Sequence, residues 1–169
     1  GVLEHISAIE LFKGASADIL FVSIAAGLTT ASLEAALPDG VALVRVMPNM
    51  PLAIGAGASG VCAGAHASSD DVDYVAALFG CLGRAVVVSE PDMDAVCALS
   101  GSGPAYVVAM IEALRDAAAA EGLSTDLAET LALQTVLGTA RLIDETGAPL
   151  ADTRIAICSP GGTTLAALD

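Results

Sequence analysis

Two stretches of this sequence gather hydroxyls and glycines where a helix would begin. Ser100-Gly-Ser-Gly-Pro-Ala105 has glycines that permit close backbone approach and Pro104 at a first helical position. Cys158-Ser-Pro-Gly-Gly-Thr-Thr164 sets two glycines ahead of two threonines. N–H groups at a helix start have no partner within the helix and attract a carboxylate or phosphate. A threonine hydroxyl there can donate and accept. Each stretch alone could equally be an ordinary capped helix start. Two in one helical region favour a shared site for a small anion. A small carboxylic acid fits better than a nucleotide, because neither stretch follows an expected strand.

No histidine and no paired carboxylates accompany these stretches, so hydrolysis by a triad or by two acids is poorly supported. A reaction needing orientation and one hydrogen bond, such as hydride transfer from a cofactor, fits better. A third candidate is the pair Ala25-Ala26-Gly27 and Pro48-Asn49, at the carboxyl ends of consecutive expected strands. Open α/β sheets bind ligands at that edge. Small residues let a flat ring approach the backbone, and Asn49 offers an amide.

The elements that must hold these residues follow from pattern and punctuation. Leu3 to Lys13 reads as an amphipathic helix. Ile19 to Ile24 and Val41 to Met47 read as buried strands, with a short helix from Thr29 to Leu37 between them, which makes a βαβ unit. A further strand is expected around Ser59 to Cys62, a helix over Ser69 to Cys81 capped by Ser68 or Ser69, and a strand over Arg84 to Val88. Beyond Met93 only helices are expected. They start near Ser102-Gly103-Pro104, after Ser124 or Thr125, near Leu150, and after Thr164. The boundary falls near residues 90–92, giving domains 1–91 and 92–169.

Composition narrows the class. Six Lys plus Arg against twenty Asp plus Glu leave a net charge of -14, which repels phosphate backbones and disfavours nucleic acid as a partner. Mean hydropathy is high, +0.74. The longest uncharged stretch, between Arg45 and Asp70, is broken by Pro48, Pro51 and several glycines, so no membrane span is expected. Cys62, Cys81, Cys97 and Cys158 lack C-x-x-C spacing, and His5 and His66 have no cysteine at ligand spacing. Buried free thiols in a reducing cytoplasm and no metal are expected.

Five motifs occur in order: Val22-Ser-Ile-Ala-Ala-Gly27, Arg45-Val-Met-Pro-Asn-Met-Pro51, Leu99-Ser-Gly-Ser-Gly-Pro-Ala-Tyr106, Gln134-Thr-Val-Leu-Gly138 and Ser159-Pro-Gly-Gly-Thr-Thr164. This series resembles the pyrroline-5-carboxylate reductases over nearly the whole chain. The resemblance implies an α/β remnant of a Rossmann-type domain followed by an all-α C-terminal dimerisation domain. It implies hydride transfer from NADPH or NADH to the C=N carbon of 1-pyrroline-5-carboxylate, giving L-proline. It implies a cytoplasmic homodimer joined through the helical domain, with dimers assembling further.

Carried over by position, Ser159, Gly161, Gly162 and Thr163 should hold the substrate carboxylate through their backbone, and Thr164 should hydrogen-bond the ring nitrogen as the catalytic contact. Ser100, Gly101, Ser102 and Gly103 should line the same pocket from the partner subunit. Ala25, Ala26, Pro48 and Asn49 should border the nicotinamide. The family's Gly-rich phosphate loop is expected ahead of Gly1, so a non-catalytic dimerisation and substrate-binding fragment is the alternative. Met50 stands where the family usually has a small hydroxyl residue, and Ile155 where an acidic residue is common.

Overall fold

The computed structural model describes residues 19–159 and 162–168. The helix expected over Leu3 to Lys13 and the site residue Gly161 lie outside the described residues.

Apolar and β-branched runs form four strands: β1 (Leu20–Ser23), β2 (Ala42–Met47), β3 (Gly57–Ala63) and β4 (Gly83–Val87), in the spatial order β1-β2-β3-β4. Helix α1 (Thr30–Glu34) joins β1 to β2, which pair in parallel with Ser23 opposite Arg45, as the βαβ reading requires. β3 runs antiparallel to β2, with Arg45 opposite Cys62. The link between them is a 3-10 turn, Met50–Ile54. It is too short for the dozen or more residues of a parallel crossover, so the chain must double back. Helix α2 (Ser69–Gly80) has the length for a crossover, and β4 returns parallel to β3.

The two faces of the sheet hold separate cores. Val44, Val46 and Val61 are fully buried and pack with Val72 and Val75 of α2. On the other face Leu43 packs with Leu33, Leu37 and Val41. Each fully buried Val or Leu contributes roughly 1.5–3 kcal/mol. Ser68 is the cap of α2. Its hydroxyl accepts from the Asp71 N–H at 3.2 Å, and the Asp71 carboxylate accepts from the Ser68 N–H at 2.8 Å. The hydrogen bonds from Ser68 hold the Asp71 carboxyl below its ordinary range.

After β4 every described element is helical, but helix begins earlier than the sequence pattern indicates. A 3-10 turn (Glu90–Asp92), α3 (Met93–Val96) and a π turn (Cys97–Gly101) precede α4 (Gly103–Ala120). Met93 is fully buried. A Cβ at Gly60 would stand 2.8 Å from Val96 Cγ1, so α3 lies on β3 only because residue 60 has no side chain.

The chain divides into two compact units, one ending at Tyr106 and one beginning at Val107. The second unit holds the rest of α4, α5 (Thr125–Thr146), α6 (Leu150–Ile157) and α7 (Thr163–Leu168). α4 ends in a Schellman motif: Leu123 N donates to Ala118 O and Gly122 N to Ala119 O, with Gly122 at φ +103°. Arg115 reaches Glu129 of α5 at 3.8 Å. Among the described residues the buried apolar side chains of this unit are Ala128 and Ala132, while Val108, Met110, Leu114, Leu131, Leu137 and Leu142 are exposed. By length and composition the helical run Glu90–Ala120 is apolar enough to cross a membrane. The uncharged-stretch test above did not single it out.

Candidate active site

Parallel pairing brings the carboxyl ends of β1 and β2 to one edge. Ala25 is half-buried there, its N–H donating to Ser23 Oγ at 3.3 Å, and Ala26 and Gly27 are exposed in a turn that Gly27 closes at φ +74°. Pro48 and Asn49 follow β2, both half-buried. These small groups leave the backbone open to a flat ring, which fits the nicotinamide end of a dinucleotide. They offer no cradle for its phosphates. A literal G-x-G-x-x-G spacing, Gly55, Gly57 and Gly60, runs into β3 and not into a helix. There Gly57 N is spent on Leu82 O at 2.9 Å.

Asn49 is more engaged than its sequence position indicates. Its Oδ1 accepts from Ala58 N at 2.9 Å, and its Nδ2 donates to Ser100 O at 3.0 Å. One N–H and one lone pair of the amide remain. The second bond joins two candidate segments that the sequence presents separately, within one compact unit.

The Ser100–Ala105 segment is not a free helix start, which corrects the sequence reading. Helix arrives from Met93 and passes through the π turn into α4. Ser102 N donates five residues back to Cys97 O at 2.9 Å, Ala105 N donates to Ser102 O at 3.0 Å, and Ser100 Oγ donates to Val96 O at 2.9 Å. An anion cannot use those donors. The extra residue of a π turn carries the helix through glycines that locally signal a break. Gly101 and Gly103 are half-buried, and Ser102 is exposed.

The other expected set belongs to the second unit. Gly162 N donates to Ser159 O at 2.9 Å, and α7 starts at Thr163. Ser159, Thr163 and Thr164 are exposed. This stretch is a helix start, as read.

Sequence reading missed one cluster. Arg45 is 3% exposed, and its Nη1 donates to Glu90 Oε1 at 2.5 Å. Cys62 Sγ donates to Glu90 Oε2 at 3.4 Å. Burial first, then the Glu90 hydrogen bond and charge, push the Cys62 thiol up to about 11. The available signal was an arginine in the middle of the apolar strand Ala42–Met47. The cysteines also differ from expectation: Cys62 is buried, Cys81 is exposed, and Cys97 and Cys158 are half-buried, all as free thiols. Among the described residues no three His, Cys, Asp or Glu side chains gather as a metal site.

Residues 90–169 match the pyrroline-5-carboxylate reductase dimerisation family. A pyrroline-5-carboxylate reductase of Synechocystis is 46% identical over 147 residues, covering 87% of this chain and 55% of that protein. That of Escherichia coli K12 is 40% identical over 159 residues, covering 94% of this chain and 59% of that protein. The solved pyrroline-5-carboxylate reductase of Coxiella burnetii superposes with a TM-score of 0.88 at 38% identity, covering 99% of this chain and 61% of that one. The Plasmodium falciparum pyrroline carboxylate reductase, solved with NADP bound, gives 0.86 at 34% identity, covering 99% and 66%. The chain thus spans between 55% and 66% of the length of these proteins. The ordered motifs, the family match and the structural likenesses agree along the chain, and the resemblance to the pyrroline-5-carboxylate reductases holds, with that family's dimerisation region over residues 90–169.

Proposed function

We propose that the protein reduces 1-pyrroline-5-carboxylate to L-proline, the last step of proline synthesis, in the cytoplasm and as a homodimer. The observation that carries this reading is the Asn49–Ser100 bond. It holds the small-residue edge of β1 and β2 beside the Ser100–Gly103 segment, so one unit offers a nicotinamide edge and a substrate wall together. NADPH or NADH, when bound, supplies the hydride. Ala25, Ala26, Pro48 and Asn49 border the nicotinamide ring and exclude water from its face. Ser100, Gly101, Ser102 and Gly103 of one subunit line the pocket that residues 159–164 of the other subunit complete. The backbone around Ser159, Gly161, Gly162 and Thr163 holds the carboxylate, and the Thr164 hydroxyl hydrogen-bonds the ring nitrogen. If the imine binds protonated, its carbon accepts hydride without a separate general acid, which suits a site with no acid–base pair.

The functional division runs 1–91 for the nucleotide side and 92–169 for the helical side. The exposed apolar side chains of α4 and α5 are the surface that a second copy covers. Leu131, Gln134, Thr135, Gly138, Thr139 and Leu142 line an open groove of about 370 Å³ along one face of α5, and Gly138 leaves room there for a close helix. With that cover the run Glu90–Ala120 needs no membrane. A second reading is a chain that dimerises and binds substrate without turnover. It is favoured by the Gly55–Gly60 run, which enters β3 with Gly57 N spent on Leu82 O.

NADPH consumption at 340 nm on adding 1-pyrroline-5-carboxylate separates the two. It is measured on this chain and on the chain extended by a Gly-rich loop segment ahead of Gly1. Thr164→Ala should lower kcat/KM about tenfold or more, the value of a hydrogen bond to a charged group. Turnover only in the extended form supports the second reading for the chain alone. Turnover in neither form refutes the reductase reading.

A further inference from the structure

The carbonyl of Ser100 lies four residues before Pro104. In a helix that carbonyl accepts from the N–H four residues on, and proline has none. The next N–H, that of Ala105, is spent on Ser102 O at 3.0 Å. Asn49 Nδ2 reaches the same carbonyl from 51 positions away, at 3.0 Å. The amide cannot turn over without loss, because its Oδ1 accepts from Ala58 N at 2.9 Å. The neighbouring residue is fitted to the same strand end, since a Cβ at Gly101 would stand 2.8 Å from Met47 Cε.

We propose that Asn49 is a positioning residue: its amide supplies the N–H that Pro104 lacks, holds the π turn Cys97–Gly101 on the end of β2, and thereby sets Ser100–Gly103 against the Ala25–Ala26 edge. The sequence motifs around Asn49 and Pro104 are thus two halves of one device. A proline starts α4 and leaves a carbonyl without its helical donor, and an asparagine at the strand end answers it. Only the effect on the reaction rests on the reductase reading above; the brace itself does not.

The test uses the chain with the same extension as in the assay above, in wild type, Asn49→Ala, Asn49→Asp, Pro104→Ala and Asn49→Ala with Pro104→Ala. Asn49→Asp is nearly isosteric, and it keeps the acceptor for Ala58 while turning an oxygen toward the Ser100 carbonyl. It serves if Asn49→Ala does not fold. Steady-state kinetics give kcat and both KM values. Amide hydrogen exchange follows the peptide spanning 97–102. Asn49→Ala should lower kcat/KM for 1-pyrroline-5-carboxylate about tenfold, mainly through the KM of that substrate, while loss of its contact with the nicotinamide edge shows separately in the KM for NADPH. Asn49→Asp should lose at least as much. Exchange across 97–102 should quicken in both. With alanine at position 104 a backbone N–H returns, and Asn49→Ala should then cost less than about threefold relative to Pro104→Ala.

The proposal is overturned if Asn49→Asp matches wild type, if the loss is undiminished in the Pro104→Ala background, or if only the KM for NADPH rises. Should wild type itself consume no NADPH, the reductase reading fails, and the exchange data alone decide. Unchanged protection of 97–102 in Asn49→Asp then refutes the brace.

Discussion

The Arg45 guanidinium sits inside the sheet unit, paired with the Glu90 carboxylate. Its side chain is 3% exposed, Glu90 is 27% exposed, and Arg45 Nε has no hydrogen-bond partner among the described residues. Glu90→Ala leaves that cation buried. Removing one partner of a buried pair costs about 3–5 kcal/mol, and the partial exposure of Glu90 lets some water in, so about 3 kcal/mol is expected. For a chain of this size that lowers Tm by about 6–12 °C. Urea unfolding followed by far-UV circular dichroism at fixed protein concentration measures it. Arg45→Met combined with Glu90→Ala removes both charges and fills the space with a flexible apolar chain. It should recover most of the loss, because no charge is left unpaired. A loss below about 1 kcal/mol for Glu90→Ala, or a double variant no more stable than the single, refutes the view that Arg45 depends on Glu90.

Two further predictions concern titration. The folded carboxyl of Asp71 titrates below its ordinary value of 3.8, so its stabilisation is present above that value and lost as pH falls through the folded one. The Tm difference between wild type and Asp71→Asn should be level from neutral pH down to about pH 5 and shrink below about pH 4. A difference unchanged at pH 3 would contradict the capping box. The Cys62 thiol, raised to about 11, carries almost no thiolate at neutral pH and is buried. A brief iodoacetamide pulse at pH 8 should label exposed Cys81 and leave Cys62 unmodified until urea is added, as read by peptide mass spectrometry. Equal labelling of the two in the native protein would show that the Arg45–Glu90–Cys62 cluster opens freely.

Much of the fold was legible because its causes are local. β-branched runs between glycines and prolines marked β1, β2 and β4, and Ser68 with Asp71 three residues on marked the start of α2. The motifs that carry the family resemblance also lie in short contiguous stretches. The direction of β3 was not read, although the short link after Met47 already excludes a parallel crossover. Helix from Met93 was overlooked because Gly101 and Gly103 locally signal a break.

What the sequence determined by itself is the kind of chain this is: the order of elements, the residues offered to a small acid and a flat cofactor ring, and the two helix-start motifs as candidates. What only tertiary structure decided is which polar groups answer one another. Asn49 meets Ser100 across 51 positions and Arg45 meets Glu90 across 45. Arg45 stands out locally as a charge in an apolar strand, but nothing in the local pattern names Glu90 as its partner or Ser100 as that of Asn49. The same holds for Ser100–Ala105, where a local pattern that reads as a free helix end became the middle of a helical run. Its donors are satisfied from the preceding turns, and its one proline-deprived carbonyl is satisfied from the sheet. Local propensity sets what each segment can form, while the need to pair every buried polar group sets which segments must meet.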